Sequence, residues 1–292
     1  MEHHADRRRN WGAQPTRGRE PQAPEVTAPT GVPGPLPILI INLKARSDRL
    51  AAMTNQLAAL GLTFETLPAV EAASLKSAAP AARSRLAFGD QACGMSHRRA
   101  WARALEGTGP YTAIFEDDVQ FAPSARTLLS DTGWIPTGAK LIKLETFGRL
   151  RRTLAVGAPA PCTPPHAVRP FHSKNLGSAG YIIHRAVLPH LLARFDPHGM
   201  AVDHFLFNPD LSPAFEVLSP LLLAPSLCRQ VMDSFGSDIH PTRQREPAYR
   251  RLERESRKLV GKIRTLARTA PGRLTGAITP LSNAALCDPH LL

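Results

Sequence analysis

The stretch Pro37-Ile38-Leu39-Ile40-Ile41-Asn42-Leu43 is a continuous apolar run with β-branched side chains at its centre. Its length and composition predict a strand buried on both faces, as in a largely parallel sheet. Apolar residues then recur at helical spacing until a glycine ends the pattern: Leu50, Met53, Leu57, Leu60 and Gly61. Thr63–Val70 has the composition of a second strand. This strand–helix–strand order is a βαβ unit, so we predict an α/β domain with a mostly parallel central sheet.

Further elements follow on either side of a Pro- and Arg-rich loop predicted at Gly148–Phe171. Helices are predicted at Ser96–Leu105 and Arg185–Arg194, and strands at Tyr111–Glu116, Leu141–Leu144, Ala179–Ile183 and Phe215–Leu223. The first 36 residues hold six prolines and a single leucine, so they are predicted to be a disordered tail. The predicted domain therefore covers residues 37–242, and residues 243–292 form a basic helix with a C-terminal tail.

The composition excludes several classes of protein. Four cysteines are widely spaced along the 292 residues, which argues against a zinc finger and against a disulfide framework. Neither a secretory signal nor an apolar run of membrane-spanning length is present. The sequence therefore predicts a cytoplasmic protein, with peripheral attachment to the inner face of the cytoplasmic membrane left open.

Positive charge is concentrated near the C-terminus. The chain has 36 Lys and Arg against 24 Asp and Glu, a net charge of +12, and Arg243–Arg273 contributes 11 basic against three acidic residues. An apolar stripe at helical spacing runs through that segment from Tyr249 to Leu266. Three interpretations stay open: a solvated helix docked on the domain, a helix that binds an anionic membrane, or a nucleic-acid-binding segment. The last is least favoured, because aromatic residues are not interleaved with the charges.

The acidic sequence Glu116-Asp117-Asp118 directly follows a predicted buried strand. Ligands of open α/β sheets bind at the carboxyl ends of the strands. Adjacent carboxylates repel one another, and a hard divalent cation such as Mg²⁺ or Mn²⁺ would relieve that repulsion while bridging to diphosphate oxygens. An acidic turn that caps the next helix is the alternative.

Other polar residues follow the predicted strands in the same way. Arg46 and Arg49 follow the first strand, where they could neutralise phosphate charge. Ser96 is a candidate helix cap, and His97 would lie in the first turn of that helix. Gly177-Ser178-Ala179-Gly180-Tyr181 allows close backbone approach to a ligand. Asp203 precedes His204 at a loop-to-helix junction and is a candidate general base.

In this order the segments resemble glycosyltransferase family 25, the lipopolysaccharide-type galactosyltransferases. The matching features are Asn42-Leu43 with its spaced arginines, Cys93 to His97, the acidic triplet, Gly177 to Tyr181, and Asp203. The resemblance covers roughly residues 38–239. Two positions depart from the family pattern: Ala92 stands where a glycine is expected, and the proline expected near Asp203 is missing around Ala201. Neither departure removes a polar group.

The resemblance implies a GT-A fold and inverting transfer of a hexose, galactose first, from a UDP-sugar to a lipopolysaccharide or other glycan acceptor. Glu116 and Asp118 would hold the metal and diphosphate, because alternate residues of an extended strand end point the same way. The donor would also contact a set of seven residues: Arg46, Arg49, Ser96, His97, Asp117, Gly180 and Tyr181. Asp117 would hold a ribose or a backbone group. For the general base, Asp203 is the first candidate and Glu145 the second.

Two other functions remain open from the sequence. A Mg²⁺-dependent phosphotransferase also uses acids at strand ends, although the phosphate-binding loop Gly-x-x-x-x-Gly-Lys-Ser/Thr is missing. A basic nucleic-acid-binding module fits the net charge, although most of that charge lies in one terminal segment.

Overall fold

The computed structural model describes residues 34–78, 86–146, 153–231, 248–286 and 288. Within these ranges the strands, numbered in chain order, are β1 Ile38–Asn42, β2 Glu65–Pro68, β3 Tyr111–Glu116, β4 Val119–Phe121, β5 Leu141–Lys143, β6 Glu145–Thr146, β7 Thr153–Val156, β8 Ala160–Pro161, β9 Ala167–Pro170, β10 Gly180–His184, β11 Leu221–Ala224, β12 Cys228–Gln230 and β13 Thr279–Ser282. The α-helices are α1 Ser47–Ala59, α2 Ala72–Ala78, α3 Phe88–Glu106, α4 Ala125–Ser130, α5 Leu188–Arg194, α6 Val202–Phe207, α7 Ala214–Leu218, α8 Ala248–Leu274 and α9 Asn283–Leu286.

An eight-stranded sheet with the order β2-β1-β3-β10-β5-β11-β9-β8 forms the centre of the fold. β1 is parallel to both β2 and β3, and β11 is parallel to β5. The four remaining pairs are antiparallel. The predicted α/β class is confirmed, and the strand directions are mixed across the whole sheet. The carboxyl ends of β2, β1 and β3 lie at one edge, and the amino end of antiparallel β10 lies at that edge too.

The predicted βαβ unit is present as β1-α1-β2. All five residues of β1 are buried, which explains the uninterrupted apolar run. α1 buries Met53 and Leu57, two of the residues whose spacing predicted the helix, and Gly61 follows it with φ +68°.

Both faces of the sheet are covered. Ala113 and Phe115 of β3 belong to one core cluster, while Ile114 between them belongs to the other. Successive side chains of a strand point to opposite faces, so the run Ala113-Ile114-Phe115 is apolar because both faces of β3 are buried. That burial ends at Glu116, where the strand reaches the sheet edge.

Three predicted elements differ from the structure. α3 begins at Phe88, so Ser96 lies inside the helix, where its hydroxyl donates to the Ala92 carbonyl, 2.7 Å away. The predicted Phe215–Leu223 strand is divided between α7 and β11. The predicted loop at Gly148–Phe171 contains β7, β8 and β9, in short strands that pattern alone does not reveal.

The described residues after α8 pack against the domain. β13 pairs antiparallel with β7, and Leu286 is buried in the same core cluster as Leu154 and Val156. Most of the predicted N-terminal tail lies outside the described residues. Leu36, however, is buried and donates its amide to the Leu129 carbonyl. Among the described helices, none is both long enough and apolar enough to cross a membrane.

Candidate active site

A cavity of about 660 Å³ opens at the edge of the sheet where β2, β1 and β3 end. Its walls come from the segments that follow these three strands, from Gly177 and Ser178 before β10, and from the start of α6. Ligands of α/β folds bind at this position because the polar loops converge there. The predicted site residues that line the cavity are Arg46, Arg49, Ser96, His97, Glu116, Asp117, Asp118 and Asp203.

Asp117 ties the end of β3 to the end of β1. One carboxylate oxygen accepts hydrogen bonds from the Asn42 side chain at 2.7 Å and from the Leu43 amide at 3.3 Å. The other oxygen pairs with Arg49 at 3.1 Å. Burial raises the pKa of Asp117, and the charge of Arg49 opposes that rise. Asp117 thus holds a backbone group, and it fixes the position of the turn that carries the neighbouring acids.

Asp118 lies in the turn between β3 and β4 rather than on an extended strand end. The prediction that Glu116 and Asp118 alternate along an extended strand is therefore wrong, although both side chains line the cavity. Its carboxylate accepts from Gln230 Nε2 at 3.1 and 3.2 Å, and Arg49 is 3.7 Å away. Burial and the nearby charge of Glu116 raise the pKa of Asp118 to about 7.

Glu116 is hydrogen-bonded on the opposite side of this turn. Its Oε1 atom accepts from Ser178 at 2.9 Å and lies 3.2 Å from His97 Nε2. Burial alone would raise the pKa of Glu116, but the hydrogen bonds and charge supplied by His97, Ser178 and Lys143 outweigh it and lower the pKa. The pKa of Glu116 is therefore shifted in the opposite direction to that of Asp118.

A chain of hydrogen bonds leads from the core to Glu116. Trp101 Nε1 donates to the Tyr181 hydroxyl at 2.9 Å, and that hydroxyl lies 2.8 Å from His97 Nδ1. The Tyr181 hydroxyl, held by Trp101, anchors Nδ1 of His97 and leaves Nε2 directed at Glu116. His97 therefore orients Glu116.

Asp203 stands at the start of α6, in the wall of the same cavity. Its two carboxylate oxygens accept from the His204 amide at 2.7 Å and from the Gly177 amide at 3.3 Å. Gly177 has φ +98°, a conformation that favours glycine. The amide of this glycine is the one that donates to Asp203, so the turn helps to orient the carboxylate. A carboxylate held by two backbone amides can accept a proton at a defined place.

Comparison with known proteins identifies the family. The sequence profile of glycosyltransferase family 25, described as an LPS biosynthesis protein family, matches residues 36–206. The chain belongs to glycosyltransferase family 25. The protein is therefore a glycosyltransferase.

Relatives of known name agree with this membership. The lacto-N-neotetraose biosynthesis glycosyltransferase LgtB of Neisseria meningitidis serogroup A is 31% identical over 208 residues, 65% of this chain and 73% of the relative. The lipooligosaccharide biosynthesis protein lic2B of Haemophilus influenzae is 28% identical over 200 residues, 63% of this chain and 67% of the relative. A solved glycosyltransferase involved in glycosylation of the major capsid of PBCV-1 overlaps with a TM-score of 0.33 at 9% identity, over 68% of this chain and 94% of that chain. An overlap that weak does not decide the fold.

Glu145, the second candidate base, is not among the residues that line the cavity of this family 25 protein. Its side chain is fully buried, pairs with Lys143 at 2.8 Å and accepts from the Ala179 amide at 3.0 Å. Burial raises the pKa of Glu145 against the opposing charge of Lys143. A base must reach the acceptor hydroxyl, so this placement argues against Glu145 and leaves Asp203.

Three residues expected to contact the donor have structural roles instead. Tyr181 is fully buried beneath His97, and Gly180 is packed within the sheet. Ser96 reaches the cavity wall, but its hydroxyl is occupied by the Val70 amide at 2.8 Å and by the Ala92 carbonyl. These contacts hold the segment after β2 against α3, which shapes the cavity.

Gly180→Ala is expected to destabilise the fold. A Cβ at this position would lie 2.8 Å from Cys228 Sγ and 3.0 Å from Phe115 Cδ1. Overpacking of this kind costs about 1–3 kcal/mol, so the melting temperature should fall by several degrees. Gly34→Ala is the control, since nothing lies within 4 Å of its added Cβ. Unchanged stability together with lost UDP binding would instead return Gly180 to the donor site.

Asp118→Asn is expected to change how stability depends on pH. Because the pKa of Asp118 is raised from 3.8 to about 7, the folded protein binds a proton that the unfolded chain releases, and stability falls as pH rises through this window. Without divalent ions, the variant should match the wild type near pH 4 and exceed it above about pH 7, by at most roughly 4 kcal/mol. Thermal unfolding across this pH range measures the difference, and parallel profiles would contradict the prediction.

The acid cluster fits a hard divalent cation. The negative charge of Glu116 makes ionisation of Asp118 more costly, and a cation bound by both carboxylates would offset that cost. Cys93 Sγ, His97 and Glu116 also bring ligand atoms within 4.8 Å of one another. Burial, with Glu116 next, raises the pKa of the Cys93 thiol well above its usual value, so that set is less suited to Mg²⁺ or Mn²⁺ than the two carboxylates.

Several residues at the site were not predicted individually. Ser178 lies in the segment Gly177 to Tyr181, and a hydroxyl next to Gly177 could have been recognised from the sequence as a candidate polar contact. Lys143 could have been found as a lysine within an apolar strand, two residues before Glu145. Gln230 gave no local signal, because only the pairing of β12 with β4 brings it to Asp118.

Proposed function

We propose that this family 25 glycosyltransferase transfers a hexose, galactose first, from a UDP-sugar to a hydroxyl of a lipopolysaccharide or other glycan, with inversion in a single displacement. A GT-A-like fold is part of the proposal. The proposal is supported by the residues that line the cavity. Arg46 and Arg49 lie near the three acids Glu116, Asp117 and Asp118, and Asp203 comes from a separate segment at the start of α6. Family membership disfavours the phosphotransferase and the nucleic-acid module.

The donor end of the cavity is formed by the segments after β1 and β3. The cavity volume of about 660 Å³ lies within the usual range for small-molecule sites. Arg46 and Arg49 line it and supply positive charge for the diphosphate. Glu116 and Asp118 would hold Mn²⁺ or Mg²⁺, which supplies Lewis-acid stabilisation to a leaving diphosphate when bound. His97 and Ser178 keep Glu116 in place for that role.

The acceptor end is formed around Asp203. The acceptor hydroxyl would give its proton to the Asp203 carboxylate as its oxygen bonds to the anomeric carbon. The bond from that carbon to the diphosphate oxygen breaks at the same time, and UDP leaves with its electron pair. The amides of Gly177 and His204 orient the carboxylate to accept this proton. Inversion follows because attack and departure occur on opposite faces.

The choice of galactose and of a lipopolysaccharide-type acceptor rests on the family and its relatives rather than on a sugar contact. The test is a donor screen that measures UDP release from UDP-galactose, UDP-glucose and their N-acetyl forms, each with Mn²⁺ and with EDTA. We expect Mn²⁺-dependent release that is fastest with UDP-galactose. Release with none of these donors would contradict the proposal.

A further inference from the structure

α8 lies on the domain by a face made of small and polar residues. Thr269 is fully buried, and Gly261 and Thr265, at intervals of four residues, are partly buried on the same face. Arg268 donates to Asp210 Oδ1 at 2.9 Å and to the His172 carbonyl at 3.0 Å. This face therefore fixes the orientation of the helix.

From residue 259 onward, where the side chains of α8 are described, its apolar stripe points away from the domain. At about 100° per residue, the midpoint of Leu259, Val260, Ile263, Leu266 and Leu274 lies roughly 160° around the helix from that of Gly261, Thr265 and Thr269. The exposed fractions of Leu259, Ile263 and Leu266 are 59%, 57% and 55%, and those of Val260 and Leu274 are 44% and 89%. An amphipathic helix normally buries its apolar stripe against the domain, whereas these apolar residues of α8 are exposed. An exposed apolar stripe of this kind indicates a surface that binds a partner.

Positive charge accompanies the exposed stripe. Residues 248–274 contain nine Lys and Arg and two Glu, a net charge of +7. Lys262 and Arg273 lie beside the stripe on one side and Arg264 on the other, and all three are exposed. Aliphatic side chains between basic ones match a bilayer surface, where the first enter the acyl boundary and the second meet anionic headgroups.

We propose that the outward face of α8, defined by Leu259, Val260, Ile263, Leu266 and Leu274 with their flanking basic residues, docks on an anionic lipid bilayer. A second copy of the chain is a poorer occupant, because two such helices would bring like charges together. Nucleic acid is also poorer, because the aliphatic stripe offers no stacking surface. The inference is independent of the proposed reaction, since it rests on α8 alone.

The test is sedimentation of the full chain with vesicles. Wild type should sediment with phosphatidylcholine vesicles that contain phosphatidylglycerol, but not with pure phosphatidylcholine. Salt should weaken the binding, because the Debye length falls from about 10 Å at 0.1 M to about 3 Å at 1 M. Binding that persists equally on uncharged vesicles would overturn the proposal.

A double substitution on the outward face, Ile263→Gln with Leu266→Gln, should lower the partition coefficient about 10-fold or more. Val217→Gln is the control, because Val217 is an exposed aliphatic residue on α7 and is not part of the outward face of α8. Thermal unfolding should be unchanged, as both substituted side chains are already exposed. Equal sedimentation of the double variant and wild type would overturn the proposal, as would a dimer of the lipid-free wild type that the double variant abolishes.

Discussion

Asp203→Asn is expected to slow sugar transfer by about 10²- to 10⁴-fold, the range typical of a lost general base. The amide keeps the size of the side chain but cannot take the acceptor proton. Because a base acts in the transition state, UDP affinity should stay nearly unchanged, and kcat and kcat/KM should fall together.

Transfer kinetics with a galactose donor, together with calorimetric titration of UDP, measure both parts of this expectation. Glu216→Gln is the control, since it removes an exposed carboxylate from α7, outside the residues that line the cavity. Loss of UDP binding in Asp203→Asn would place the residue in the donor site instead. No current candidate for the base would then remain, because Glu145 is enclosed by the core.

Asp118→Asn is expected to lower turnover about 10²-fold or more, on the scale of a lost electrostatic contact to the leaving group. The substitution removes a charged oxygen and preserves the shape of the side chain. The fold should survive, because the charge is held at a cost that raises its pKa to about 7. The loss should therefore appear in activity and in Mn²⁺ affinity rather than in expression.

Activity in Mn²⁺ and in EDTA, for wild type and Asp118→Asn, separates the metal from other roles. Asp131→Asn is the control, because Asp131 is exposed and lies outside the residues that line the cavity. Wild-type activity that is equal in EDTA and in Mn²⁺ would contradict the assignment of the acid cluster to a cation.

The residues of the cavity were largely predictable, because strand ends can be recognised in the sequence. β1 and β3 are buried on both faces, so each carries an apolar run, Ile38–Ile41 in β1 and Ala113–Phe115 in β3, that ends at a polar residue. Arg49 and Asp117 follow those two ends, and their ion pair joins the segments that the pattern placed at one edge.

The remaining features depend on contacts between distant segments. Gly180 and Tyr181 were expected at the ligand, but the sheet places them in the core beside Cys228 and beneath His97. Gln230 reaches Asp118 only through a strand pair 112 residues apart in sequence. The outward direction of the α8 stripe was also undetermined, since periodicity shows that a helix has an apolar face but not which face docks.

A crystal structure with UDP and Mn²⁺ would be the sharpest test of the proposed function. UDP is expected in the cavity at the carboxyl ends of β1 and β3. Its diphosphate should lie between Arg46 or Arg49 and a cation bound by Glu116 and Asp118. Asp203 should face the space beyond the β-phosphate, where the sugar of the donor would lie. UDP bound elsewhere on the domain, or a cation held without either of the two carboxylates, would contradict it.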